Sequence, residues 1–308
     1  MKKLLIIHQG ALGDVVAIFP AIMRLKKNFS QTDILCQSKI GKLAHHLNII
    51  DKYFPTEGSV WASLYSESPA ARVQQILCDY HEIVLFSYSE QLEETIGRIT
   101  GKKIHRIPPR ADVSQPVHVA EHVSSHLVKC GLFPLPEEVP RESRRDERAY
   151  DPTKILLHPG SGSKRKCWPL SNFMAVEAIL EKEGMIPEFI LGPAEYFMEE
   201  LLRDRYDRVI AVSDLPELAA LLESAGGFIG NDSGATHLAA FLGVPTVAVF
   251  GPSDPERWRP LGSSTGVLRP DDLDCRPCFE TNSQNCDKTE CFEKTSPEAV
   301  IKAFWIMH

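Results

Sequence analysis

Short apolar runs alternate along this chain with longer stretches whose apolar positions recur every three or four residues. These are the marks of buried strands and of half-buried helices. Leu4–Gln9 is the first such run, and Val15–Lys27 follows with helical spacing. Thr32–Cys36 and Glu82–Phe86 read as further strands, Glu90–Thr100 as a helix, and Val117–Cys130 as a helix that Gly131 ends. This alternation predicts a parallel sheet covered by helices on both faces.

Between Phe133 and Pro152 the pattern dissolves: Pro134, Pro136, Pro140 and Pro152 interrupt it, and Arg141–Asp151 sets four arginines against four acids. The stretch reads as an interdomain linker or as a surface loop within one domain. The alternation then restarts. Strands are expected at Ile155–His158, Glu188–Leu191, Val209–Val212, Gly227–Gly230 and Thr246–Phe250. Helices are expected at Leu170–Lys182, Ala194–Arg203, Glu217–Ser224 and Ala235–Leu242. A last helix opens with Ser296-Pro297-Glu298, a cap followed by proline at the first helical position, and runs to about Met307. The expectation is an α/β protein of two doubly wound, Rossmann-like domains, residues 1–140 and 152–295, with a C-terminal helix over 296–308. Two such domains facing each other place a central cleft at the carboxyl ends of both sheets, where ligands of such sheets bind.

A length of 308 residues suits that division, since it is long for one core. A composition of 43% hydrophobic and 24% charged residues is that of an ordinary soluble protein. The net charge of −7 lacks the basic excess that nucleic-acid binding shows, so no nucleic-acid partner is expected. No run reaches the ~18 apolar residues of a membrane span. The opening MKKLLIIHQGALGD is like a signal peptide, but its apolar run Leu4–Ile7 stops well short of the ~7–15 residues of a secretory core. A cytoplasmic location is expected, with room for a peripheral place at the inner face of the membrane.

Four segments carry candidate chemistry. In Gln9-Gly10-Ala11-Leu12-Gly13-Asp14, Gly10 and Gly13 allow a tight turn and close approach of a substrate. Asp14 there is either a helix cap or a carboxylate aimed into a cleft. His158 to Pro169 joins glycines, Ser161 and Ser163 to the cations Lys164, Arg165 and Lys166, either a diphosphate cradle or a solvated basic loop. Gly230-Asn231-Asp232-Ser233-Gly234-Ala235-Thr236-His237 leaves a strand and enters a helix. Its amides at Ser233, Gly234 and Ala235 suit an anion, and Asp232 suits a sugar hydroxyl, although an Asx-turn with a cap gives the same pattern. His237 is a ligand or a buried structural histidine. Phe250-Gly251-Pro252-Ser253-Asp254-Pro255 is a turn at the neighbouring strand end.

In this order and at these spacings, the segments resemble glycosyltransferase family 9, the bacterial ADP-heptose:lipopolysaccharide heptosyltransferases. The matching stretches are GALGDVVAIFPA, LHPGSGSKRKCWP, LGPAE and GNDSGATHLAAFLGVPTVAVFGPSDP, spread over nearly the whole chain. The resemblance implies a GT-B architecture, with donor bound by the C-terminal domain and acceptor by the N-terminal one. It implies no cofactor and no catalytic metal. It assigns Asp14 as general base, Lys166 to the donor phosphate, Ser161 or Ser163 to a hydroxyl contact on phosphate, and Glu195 to the donor ribose. Asp232, Ser233, Gly234 and His237 match the family's donor-binding D-T-G-x-x-H, with serine for threonine. Leu215, with Pro216, is a candidate lining for the base pocket. The phosphate loop is about one residue longer than in enterobacterial members, and residues 41–116, where the acceptor would sit, show little match.

The implied reaction is an inverting transfer of heptose from ADP-L-glycero-D-manno-heptose to Kdo or heptose of the lipopolysaccharide inner core. The partners are then an ADP-activated sugar and a lipid-linked saccharide at the membrane surface. The basic stretch Arg98–Arg106 either meets that anionic acceptor or is a solvated helix end. Alternatives are a GT-B transferase for another nucleotide sugar, and a non-catalytic nucleotide-sugar binder. A nicotinamide oxidoreductase is opposed by the lack of G-x-G-x-x-G after the first strand and of an acid after the second, where Cys36-Gln37-Ser38 stands. Cys275, Cys278, Cys286 and Cys291 crowd one polar stretch and are open to three readings: a structural zinc site, disulfides, or thiols.

Overall fold

The computed structural model describes residues 2–66, 68–133, 150–202, 207–273, 275, 277–281 and 290–307. Residues 134–149 of the expected linker and Cys286 lie outside them. Two parallel sheets organise the rest. The first contains β1 (Lys3–His8), β2 (Gln31–Cys36), β3 (Lys52–Pro55), β4 (Glu82–Phe86) and β5 (His105–Ile107), in the order β3-β2-β1-β4-β5. The second contains β6 (Asp151–His158), β7 (Ile186–Leu191), β8 (Val209–Ala211), β9 (Ala225–Asn231), β10 (Thr246–Val249) and β11 (Thr265–Leu268), in the order β11-β10-β9-β6-β7-β8. Leu4–Ile7 and Ile155–Leu157 are buried throughout. Helices cover both faces of a doubly wound sheet, so its central strands are continuous apolar runs rather than alternating ones.

Each sheet grows outward in both directions from its own first strand. The strand order therefore reverses between β1 and β4 and between β6 and β9, the point at whose carboxyl ends sheets of this kind bind their ligands. The chain divides into two compact units, Met1–Asp112 with Val119–Pro140, and Val113–His118 with Arg141–His308. Arg257 Nη1 donates to the Gln115 carbonyl at 2.6 Å, and His118 Nε2 lies 2.9 Å from the Arg259 carbonyl, which ties residues 113–118 to the second unit. The last helix, Pro297–Met307, buries Val300, Ile301 and Phe304 in that unit's core.

Some elements differ from expectation. The helix expected over Val15–Lys27 starts at Leu12 and is two pieces, Leu12–Val16 and Phe19–Lys26. Pro20 has no N–H to give to the preceding turn, so the ladder breaks and restarts around it. Over Ala194–Arg203, the described residues hold only the 3₁₀ turn Tyr196–Met198. β3, β5, β11 and the helices Ser38–His46 and Ala71–Cys78 were not anticipated. Among the described residues, no helix is long and apolar enough to cross a membrane.

Candidate active site

In the second unit, β6 and β9 are paired neighbours ending at His158 and Asn231. The fully buried Asn231 side chain joins the loops that leave them. Its Oδ1 accepts from the Trp168 N–H at 2.9 Å, and its Nδ2 donates to the Pro159 carbonyl at 2.8 Å. Ser161 Oγ donates to the Asp232 carbonyl at 2.7 Å. Asp232 is buried, and its Oδ2 lies 2.8 Å from Lys166 Nζ, with His237 Nε2 3.9 Å from Oδ1. A buried carboxylate needs such a partner, because desolvation alone would disfavour its charge. The ammonium of Lys166 also sits 4.3 Å from the centre of the Phe279 ring.

Ser233 caps the helix Gly234–Phe241, its Oγ accepting from the Thr236 N–H at 3.4 Å. The first N–H groups of that helix, at Gly234 and Ala235, lie in the turn where a helix leaves its amides outside its own hydrogen-bond ladder. His158 Nδ1 lies 3.4 Å from Ser233 Oγ, and burial pushes this histidine's pKa down to about 4, so it is neutral. Glu195 Oε2 accepts from the Gly192 N–H at 3.0 Å, and burial raises its carboxyl pKa. A Cβ at Gly160 would fall 2.3 Å from Glu195 Cδ. That glycine is required by the carboxyl group packed on it. Ser163 precedes the 3₁₀ turn Lys164–Lys166 and accepts the Lys166 N–H on its carbonyl at 2.9 Å. The structure thus brings together Ser161, Lys166, Asp232, Ser233 and His237, with Glu195 beside Gly160. Leu215 stands half-buried at the start of the helix Leu215–Glu223, with no hydrogen bond joining it to that group.

In the first unit, Asp14 occupies the third position of the helix Leu12–Val16, and its Oδ2 accepts from the Ala11 N–H at 3.0 Å. The cap reading therefore holds for one carboxylate oxygen. Gly13 accepts the Ala17 N–H on its carbonyl at 3.0 Å. Beneath the loop lies His8, buried, with Nδ1 accepting from the Gly10 N–H at 3.0 Å and its ring 5.0 Å from that of Phe86. Gln9 Nε2 donates to the exposed Tyr65 hydroxyl at 2.6 Å. In the basic stretch, Arg106 is paired with Glu93 and Glu90, and Lys102 Nζ donates to the Cys78 carbonyl at 2.9 Å.

The sequence placed Asn231 in a candidate segment without a role of its own, and did not mark His8 or Phe279. Phe279 belongs to a loop fixed by two N–H bonds, from Cys278 at 2.9 Å and Phe279 at 3.0 Å, to the Pro252 carbonyl. The turn Gly251-Pro252-Ser253 is thus the anchor of the segment covering Lys166. Of the cysteine cluster, Cys275 is exposed, Cys278 half-buried and Cys291 buried in the core. Among the described residues, no three His, Cys, Asp or Glu side chains converge to hold a metal ion.

The family Glycosyltransferase family 9 (heptosyltransferase) matches residues 133–288. The chain is 30% identical over 315 residues to lipooligosaccharide heptosyltransferase 2 of Campylobacter jejuni serotype O:2, covering 94% of this chain and 93% of that one. The protein of the same description from serotype O:6 is 23% identical over 94% of both chains. Among solved structures, the glycosyl transferase family 9 protein of Veillonella parvula superposes with a TM-score of 0.77 at 20% identity, over 99% of this chain and 97% of its own. The ADP-heptose lps heptosyltransferase II of E. coli gives 0.73 at 18% identity, over 100% and 98%. E. coli heptosyltransferase WaaC with ADP gives 0.70 at 15% identity, over 99% and 100%. These likenesses show the fold, two Rossmann-like units of the GT-B type.

Proposed function

The chain belongs to glycosyltransferase family 9, the heptosyltransferases, and from that premise we propose that it transfers heptose from ADP-L-glycero-D-manno-heptose to Kdo or heptose of a lipopolysaccharide inner core, with inversion. The observation that carries the reading is the Lys166–Asp232 pair at 2.8 Å, held where β6 and β9 end. It sets a cation, a sugar-binding carboxylate and a helix start around one point of a switch-point crevice.

The donor diphosphate lies along the loop 159–168 and the Gly234 and Ala235 amides. As the glycosidic bond breaks, charge develops on the β-phosphate of the leaving ADP. Lys166 turns toward it from Asp232, a preorganised stabilisation of the kind that dominates many enzymes' rates. Asp232 and His237 hold sugar hydroxyls, Ser161 or Ser163 contacts phosphate, Glu195 holds the ribose, and Leu215 lines the base pocket. On the first unit, Asp14 accepts the proton of the acceptor hydroxyl as that oxygen attacks the anomeric carbon from the opposite side. Its Oδ2 is engaged by Ala11, which leaves Oδ1 for the proton. The lipid-linked acceptor places the working protein at the inner face of the cytoplasmic membrane.

The test is transfer from ADP-heptose to a Kdo-terminated acceptor, with ADP release and product measured, beside a screen of other nucleotide sugars. A strong preference for a UDP or GDP donor overturns the donor assignment. Asp14→Asn is expected to abolish transfer while ADP binding stays nearly intact, and full activity in that variant removes Asp14 as the base.

A further inference from the structure

We propose that His8 is a positioning residue, whose buried imidazole fixes the turn carrying Asp14 by accepting the Gly10 amide. The inference rests on the reading of Asp14 as the base. His8 is the last residue of β1, the central strand of its sheet, and stands 2% exposed beneath the loop. Its Nδ1 accepts from the Gly10 N–H at 3.0 Å, which closes a short turn directly after the strand. A Cβ at Gly10 would lie 2.6 Å from His8 Cε1 and 2.9 Å from Asp14 Cβ. The Gly10 backbone is therefore held between the imidazole edge and the Asp14 side chain, with no room on either side. One residue further on, the Ala11 N–H donates to Asp14 Oδ2 at 3.0 Å. A continuous set of contacts thus runs from the strand end to the carboxylate: His8 to Gly10, then Ala11 to Asp14. The helix bearing Asp14, Leu12–Val16, spans only 5 residues and cannot orient the side chain by its own length. The Phe86 ring, 5.0 Å from the imidazole across the β1–β4 pair, braces the histidine from the other side.

For a base in a displacement, direction matters more than affinity. A misplacement of about 1 Å costs on the order of a hundredfold in rate. Loss of the His8 acceptor frees the Gly10 amide and lets the loop drift, while the donor site on the other unit is untouched. His8→Leu keeps the bulk and removes the acceptor. His8→Asn keeps an acceptor oxygen near the place of Nδ1. In purified protein, His8→Leu is expected to lower kcat by about tenfold to a hundredfold, with the KM for ADP-heptose and the affinity for ADP unchanged. His8→Asn is expected to recover most of the loss. A wild-type kcat in His8→Leu overturns the proposal, and so does a loss in His8→Asn as large as in His8→Leu, which would mean that packing and not the acceptor matters. If His8→Leu does not fold, as judged by ADP binding, Gly10→Ala presses on the same contact from the loop side, and full kcat there overturns the proposal equally. An active Asp14→Asn removes the base assignment itself and the proposal with it, whereas an inactive Asp14→Asn beside a fully active His8→Leu removes only the proposal.

Discussion

Asp232 is buried in the second unit with the Lys166 ammonium 2.8 Å away, and the same ammonium is the group a diphosphate would draw off. Lys166→Ala removes both functions. It should weaken donor binding and lower kcat together, and destabilise the protein by about 2 kcal/mol, less than a fully buried pair because Lys166 is partly solvated. Adding Asp232→Asn should restore the melting temperature without restoring activity. Unchanged kinetics in Lys166→Ala would take the lysine out of the site. Glu195 makes the opposite case. Burial raises its folded pKa above the unfolded value, so the folded state loses stability as pH rises from the ordinary carboxylate range through that raised value. Glu195→Gln removes this penalty, and its Oε1 can still accept the Gly192 amide. The variant should melt higher than the parent at neutral pH, with the difference shrinking toward pH 4, while ADP binds less tightly. A lower melting temperature at pH 7 would contradict the account. Residues that cost stability and serve binding are expected at functional sites.

At the scale of elements, the loop between β6 and the helix Leu170–Lys182 owes its shape to one side chain. Asn231→Ala leaves the Trp168 N–H and the Pro159 carbonyl without partners in a buried place. Unfolding in denaturant should show a loss of about 2–3 kcal/mol, and the KM for the donor should rise as the loop loses its seat. A stability equal to the parent's would deny Asn231 this role. The loop's residue types were legible in the sequence: hydroxyls, glycines and cations between a strand and a helix, a pattern that fits a diphosphate cradle or a solvated basic loop. Its seat was not, because Asn231 meets Trp168 across 63 positions and no local pattern marks that meeting. Strands divide the same way. β1, β4 and the second half of β6 announce themselves as apolar runs because both their faces are covered. β3 is exposed at both ends and closes on Pro55, β5 has 3 residues, and β11 is half-buried throughout, so none carries a strong period. The helix expected at Ala194–Arg203 had the right spacing. Glu195 instead turns its carboxylate back to the Gly192 amide, and a single 3₁₀ turn follows.

Across the whole molecule, the two units repeat one device: the first strand of each sheet ends in a buried histidine, followed by one of the candidate site loops. Burial pushes the pKa of both His8 and His158 down to about 4, against about 6.5 in an unfolded chain. For a group with a lowered folded pKa, the unfolded state takes up protons first as pH falls. Stability from these two residues is therefore complete above about pH 6.5 and is lost progressively toward pH 4, by about 1.4 kcal/mol for each unit that a pKa is depressed. The buried carboxyls of Asp33 and Glu195, both raised by burial, pull the other way over part of that range. The raw melting curve thus mixes two slopes, and the histidines are isolated by difference. A variant carrying His8→Asn and His158→Asn has no such protons to take up. Melting temperatures measured at steps from pH 7.5 to 4.5 should show the parent falling relative to the variant below pH 6.5. A difference that stays flat across the range would mean that the histidines protonate in place, and that neither loop depends on a neutral imidazole beneath it.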